Sequence, residues 1–400
     1  VTGESGGRVR DAGAAAVPVV LILLVALTLR PALTSVGPVL PWLGADEGLG
    51  ETALGLLVAL PLVAFAIVSP LVHRWSGRLG IERTIAVAMV VLTVGTVLRS
   101  YGGAPGLWIG TLVTGGAIAV GNVLVPAVIR RDHRSRVSRT TGLFSASMVT
   151  AAGLASALAV PIAQGTDWRF ALAIWAGLSV LVGLAWLPRA RRSAGDRPTV
   201  HVPTEPGDSV WRRPTAWLVT AYMGVQSTSF YILVNWLPSI EQAAGISLSV
   251  AGVHLLIYQV VGVFAGMAVP LLMRGESQTT AAVGSAVPMV IAAAGLILAP
   301  QLAVLWIFCA GVASGAALVV ALSLIALRSR AEHETARLSG MAQSVGYGFA
   351  ALGPIVTGYL AQRTGGWEAS LLVIAGLGVA QVIIGFAVGR DRSARPVAGR

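Results

Sequence analysis

Lysine is absent from this 400-residue chain, so all 28 basic side chains are arginine. Cysteine is nearly absent too. The one thiol, Cys309, falls inside an apolar run, which excludes an intrachain disulfide and leaves the redox compartment open. Charged residues make up only 11% of the chain and aromatics 6%, far below what a solvated globular surface needs. No Asp or Glu lies in the interior of any long apolar run, which leaves out the buried carboxylate that proton-driven antiporters commonly use as a relay. The five histidines, at 73, 133, 201, 254 and 333, show no metal-ligand spacing, and no nucleophile and base converge. Neither a metal site, an organic cofactor nor an enzymatic activity is expected.

What is present is hydrocarbon. Apolar residues make up 55% of the chain, and its mean hydropathy is +0.79, the composition of an integral membrane protein. A helical span needs roughly 20 mostly apolar residues. Twelve such runs occur, at about 17–43, 50–72, 84–100, 106–130, 140–163, 168–188, 214–239, 247–273, 278–299, 301–327, 336–362 and 367–390. The first reads as a span and not a secretory signal, because it carries Arg30 and continues to Trp42 without a small-residue cleavage site.

The charge of +11 follows the runs. Arginines crowd alternate connections: Arg74, Arg78 and Arg83 after run two, Arg130 to Arg139 after run four, Arg189 to Arg213 after run six, Arg328 to Arg337 after run ten, and Arg390 onward in the tail. The opposite connections hold only Arg99, Arg169 and Arg363. By the positive-inside rule both termini are cytoplasmic and the chain is a multi-pass protein of the plasma membrane. The basic balance then reflects topology and contact with anionic membrane lipid, and no nucleic acid partner is expected.

Arg30 lies near the middle of the first run and is followed at once by Pro31, with Pro38 and Pro41 further on. A guanidinium at that depth costs about 2.5–3.5 kcal/mol on insertion scales, so a chain that keeps one usually uses it. The prolines remove backbone donors and free carbonyls to face a cavity. Arg30 is suited to an anion or a planar acceptor such as a carboxylate, nitro or cyanate group. A purely structural role, bonding the freed carbonyls, stays open.

The chain also repeats at an offset of 198 to 200 residues. Pro70 and Arg74 correspond to Pro270 and Arg274; Arg130, Arg139 and Gly142 to Arg328, Arg337 and Gly340; Phe65 to Phe264; and Trp168 to Trp367. Two homologous halves in one orientation follow, 17–188 and 214–390, joined by a cytoplasmic linker at 189–213, with cytoplasmic tails at 1–16 and 391–400. Halves of this kind give alternating access by rocking about a midplane site.

This layout resembles the major facilitator superfamily over nearly the whole chain. More narrowly, LRPALTSVGP at 29–38, GNVLVPAVIRRD at 121–132 and LSGMAQSVGYGFAALGP at 338–354 resemble the subfamily of cyanate and nitroimidazole transporters. The resemblance implies an all-α membrane protein of twelve transmembrane helices in two pseudo-symmetric six-helix halves. It departs from the superfamily's signature loop at Gly77, which stands where an acidic residue belongs, so the family's gating ion pair is not carried over to that position.

Polar residues near run centres, on spans that the resemblance places at or beside the cavity, are the candidate substrate contacts. They are Arg30, Thr34, Asn122, Gln226, Tyr231, Tyr258, Gln259, Gln343 and Tyr347. Arg30 is read as counter-charge, the amides as orienting hydrogen-bond partners and Tyr258 and Tyr347 as walls. Helix bridging by the amides and core packing of the tyrosines are the plainer alternatives. His254, the one intramembrane group titrating near neutrality, is read as a solvated gate or proton-coupling residue, and Asp46, Glu47, Glu51, Asp167 and Glu241 as solvated ends. The expected function is secondary transport, by a monomer, of a small polar or anionic nitrogen-containing solute such as cyanate, with protons as a candidate coupling ion. Proton-coupled export of neutral or weakly basic aromatic compounds is the alternative, and a sensor that keeps the fold without transport is a third.

Overall fold

The structure, a computed structural model, describes residues 17–192, 210–273, 278–329 and 332–390. The expected tails, and residues 193–209 of the expected linker, lie outside the described residues. The linker's first residues continue the helix that ends at Arg192, and Val210–Arg212 form a 3-10 turn.

The described residues are helical almost throughout: α1 Val19–Leu29, α2 Pro31–Thr34, α3 Val36–Glu47, α4 Glu51–Leu79, α5 Ile81–Tyr101, α6 Gly103–Asp132, α7 Val137–Gly165 and α8 Trp168–Arg192, then α9 Pro214–Ala243, α10 Leu248–Leu272, α11 Thr279–Gly284, α12 Val287–Leu298, α13 Ala303–Leu327, α14 Glu332–Thr364 and α15 Glu368–Arg390. In hydrocarbon every backbone N–H and C=O must be satisfied within the segment, which helices achieve. Among the described residues nine helices are long and apolar enough to cross a membrane, ten when the bent α1–α3 segment counts as one span. The other two long helices, α9 and α14, carry the predicted runs seven and eleven; Gln226, Ser227, Thr228, Ser229 and Asn235 on α9 make it markedly more polar.

The first span is interrupted at Arg30 and again at Ser35, among its prolines. Pro31 opens α2 and has no N–H, so the ladder of α1 stops at Arg30. The axis bends by 40° between the α1–α2 segment and α3. Side chains take up the carbonyls around the break: Ser35 Oγ donates to Pro31 O at 2.7 Å, and Arg99 Nη1 donates to Ala32 O at 2.6 Å.

Helices up to Arg192 pack mainly with one another, as do those from Pro214 onward, and the two sets meet chiefly through α4 with α14, α7 with α10, and α3 with α9. The named approaches between the sets run from mid-depth to the arginine-poor end. A Cβ on Gly55 would collide with Pro354 O, and one on Gly358 with Glu51 O, so backbone lies against backbone along α4 and α14. At the tip of that seam Thr52 N donates to Gln362 Oε1 at 3.0 Å.

At the arginine-rich end Glu82, buried on α5, accepts from Arg131 Nη2 on α6 at 2.5 Å, with Arg189 of α8 at 4.0 Å. An acidic anchor therefore exists in this region, five residues beyond Gly77. At the arginine-poor end Arg169 binds Asp46 at 2.5 Å and Glu47 at 2.7 Å, tying α8 to α3.

Candidate functional site

The break in the first span opens onto a cavity lined by α2–α6, α8 and α9. Arg30, Thr34 and Tyr231, three of the expected site residues, line it together with Arg99, Phe230 and Asn235, among aliphatic side chains such as Leu57, Leu107 and Leu172. No carboxylate is among the lining residues. Thr34 Oγ1 donates to Ala152 O at 2.9 Å, which holds α2 against α7. Asn235 Nδ2 donates to Tyr231 O, one turn back on its own helix, at 2.7 Å.

Aromatic rings continue the wall. Phe230 meets Tyr231 edge-on at 5.1 Å and stacks on Tyr258 at 5.9 Å. Tyr347 meets Tyr231 at 6.4 Å and Phe65 at 5.8 Å. All three expected tyrosines thus belong to one chain of rings beside Arg30. The Tyr258 hydroxyl is turned away to Ser314 Oγ of α13, at 2.5 Å.

The amides are not brought together. Gln226 is buried and donates to the neighbouring Ser227 Oγ at 2.9 Å. Gln259 bridges α10 to α7 through Ser156 Oγ at 3.5 Å, a long bond. Gln343 is exposed and donates to Ser339 Oγ, one turn back, at 2.9 Å. Asn122 is half-buried on α6 beside Gly121, which packs on Leu29, so it stands next to the end of α1 without lining the cavity.

Two expectations are corrected. His254 is not solvated: it is 6% exposed, and its Nδ1 lies 2.7 Å from Glu241 Oε1. Glu241, expected in water, is 1% exposed, because α9 runs on to Ala243 and packs its last turn against α10.

The residue that sequence reasoning missed is Arg99. It stands near the end of run three and reads as loop charge, yet its side chain is 2% exposed and lines the cavity. The available signal was its side of the membrane. Of the three arginines at the arginine-poor end, Arg169 is paired with carboxylates and Arg363 lies over the Tyr359 ring at 5.4 Å, while Arg99 turns inward.

A bundle of apolar helices around a cavity lined by two arginines beside a broken span is the build of a membrane transporter. The chain belongs to the Major Facilitator Superfamily, whose sequence profile matches residues 22–346, and it is a transporter and not an enzyme. It is 36% identical to the 2-nitroimidazole transporter of Escherichia coli K12 over 378 residues, 94% of this chain and 95% of that one. It is 28% identical to the cyanate transport protein CynX of the same strain, over 89% of this chain and 94% of that protein. The inward-open xylose transporter XylE from E. coli superimposes with a TM-score of 0.75 at 13% identity, covering 94% of this chain and 97% of XylE, a likeness of fold.

Proposed function

We propose that this transporter carries a small polar or anionic nitrogen-containing solute, cyanate-like or related, and that Arg30 is its counter-charge. The observation that carries the reading is the cavity's charge: among the described residues, Arg30 has no carboxylate partner and no carboxylate lines the space it faces. A cation in a low-dielectric site without a protein counter-ion is completed by an anion or a strong acceptor from solution. Thr34, Tyr231 and Tyr347 then shape the site, while Asn122, Gln226, Gln259 and Gln343 serve as orienting groups only in a conformation other than this one.

The two helix sets are the rocking halves of this reading. With the termini cytoplasmic in the plasma membrane, the α4–α14 seam closes the outer face, and the chain works as an inward-facing monomer surrounded by lipid. His254, held by Glu241, is its gate or proton-coupling residue. A second reading is favoured by the aromatic wall of Phe230, Tyr231 and Tyr347 and by the name of the 2-nitroimidazole relative: proton-coupled export of a neutral or weakly basic aromatic.

Purified wild type and Arg30→Gln in liposomes, given cyanate, benzoate and 2-nitroimidazole with and without a pH gradient, separate the two. Anion uptake that depends on Arg30 supports the first reading. Movement of 2-nitroimidazole that survives Arg30→Gln, driven by the opposite gradient, supports export and makes Arg30 structural.

A further inference from the structure

We propose that Arg99 is a second anion-binding guanidinium, so that the cavity grips a small anion between two arginines. The proposal rests on the transport reading above and deepens it by naming a two-ended substrate.

Three observations carry it. Arg99 is 2% exposed, yet among the described residues its side chain makes a single hydrogen bond, Nη1 to Ala32 O at 2.6 Å, two residues beyond Arg30. Its Nε and Nη2 are buried and have no partner. The same side chain lines the cavity that Arg30 lines, where no acidic residue is present.

The chemistry follows from which donors are left. Nη1, spent on the α2 carbonyl, fixes the plane of the group. Nε and Nη2 form the side-on edge of a guanidinium, the pair that makes parallel bonds to a carboxylate or converging bonds to one terminal acceptor atom. A buried charged donor pair without acceptors is a costly arrangement, rare unless a ligand completes it. The fitting solute is small and planar or linear, with acceptor atoms at both ends: one end on the Arg99 edge, the other on Arg30. Cyanate, with acceptors at its nitrogen and its oxygen, has this form; benzoate has one such end.

The test is direct binding and thermal stabilisation by sodium cyanate and sodium benzoate for purified full-length wild type, Arg99→Gln, Arg99→Lys and Arg30→Gln. Arg99→Lys keeps the charge and a donor for the Ala32 region, but has no planar fork. We expect Arg99→Gln to weaken cyanate binding at least about tenfold, the usual cost of losing bonds from a charged donor. Arg99→Lys should recover the melting temperature without recovering cyanate affinity, and benzoate should lose less than cyanate in both variants. Recovery of stability and affinity together by Arg99→Lys would show a carbonyl cap only and overturn the proposal. Cyanate binding that needs Arg30 and ignores Arg99 would overturn it while leaving the transport reading standing. Wild type that binds neither anion would overturn both.

Discussion

His254 Nδ1 on α10 lies 2.7 Å from Glu241 Oε1 on α9, and both side chains are shut away from water near the arginine-poor end of the bundle. Among the described residues the other carboxylate oxygen of Glu241 is buried without a partner. The pair therefore fastens the last turn of α9 to the first turns of α10, and removing one member strands the other. His254→Ala should lower stability by about 1–3 kcal/mol, the cost of leaving a buried polar group unsatisfied. The double variant Glu241→Met with His254→Leu should recover most of that loss, because replacing both partners by apolar groups of similar size is close to neutral. Chemical or thermal unfolding of wild type, Glu241→Met, His254→Leu and the double variant in detergent closes the cycle; a loss in the double variant equal to the sum of the two single losses would mean that the pair is not coupled.

A second prediction concerns the fork of Arg30. Hydrogen bonds to charged groups are worth about 1.5–3 kcal/mol, so Arg30→Gln should raise KM for an anionic substrate by roughly ten- to a hundredfold. Arg30→Lys should restore only part of it, since an ammonium keeps the charge and loses the planar geometry. Initial rates of uptake into proteoliposomes decide this, and wild-type kinetics for Arg30→Lys would show that charge alone matters.

The α4–α14 seam gives a conformational prediction. Gly55 lies against the Pro354 carbonyl so closely that a methyl group has no room. Gly55→Ala should wedge the seam and shift the population toward a state open at that end. In a Cys309→Ser background, a cysteine replacing Leu57, which is 1% exposed and lines the cavity, reports the change. Its labelling from outside by a membrane-impermeant maleimide should accelerate in Gly55→Ala by roughly fivefold or more, a shift of about 1 kcal/mol in a two-state equilibrium. An unchanged rate would mean that the helices absorb the methyl without opening.

Tyr258 should tolerate loss of its hydroxyl. The oxygen is committed to Ser314 while the ring stacks on Phe230. Tyr258→Phe should cost about 0.5–1.5 kcal/mol of stability and leave KM for the anion near wild type. Tyr258→Ala removes the stacked ring and should raise KM. A large KM effect in the phenylalanine variant would instead put the hydroxyl on the substrate.

Hydropathy made the spans legible, and proline marked the segment that is interrupted, because both signals act within one helix; the 40° bend itself falls between Thr34 and Val36. Burial at span ends was not legible, since neighbouring helices set it. Glu241 falls two residues outside its run, and Arg99 stands just inside the end of its own; yet α9 and α5 run beyond them, and packing shuts both side chains in. The glutamines fail for a related reason. A run's centre gives depth and leaves the neighbours unspecified, so Gln343 is exposed and bonded to Ser339 although Tyr347, one turn on, packs in the chain of rings. Arg30, Thr34 and Tyr231, chosen as polar residues near run centres, do line one cavity, because the broken first span and α9 both turn toward it.

The break at Arg30 also bears on how the membrane tolerates that charge. Arg30 is at once the C-terminal cap of α1 and the N-terminal cap of α2. Because Pro31 has no N–H, the Leu27 carbonyl loses the donor that an unbroken helix would give it. The acceptor so freed lies three residues before Arg30, and the interruption therefore sets a polar backbone group on the same turn as the guanidinium.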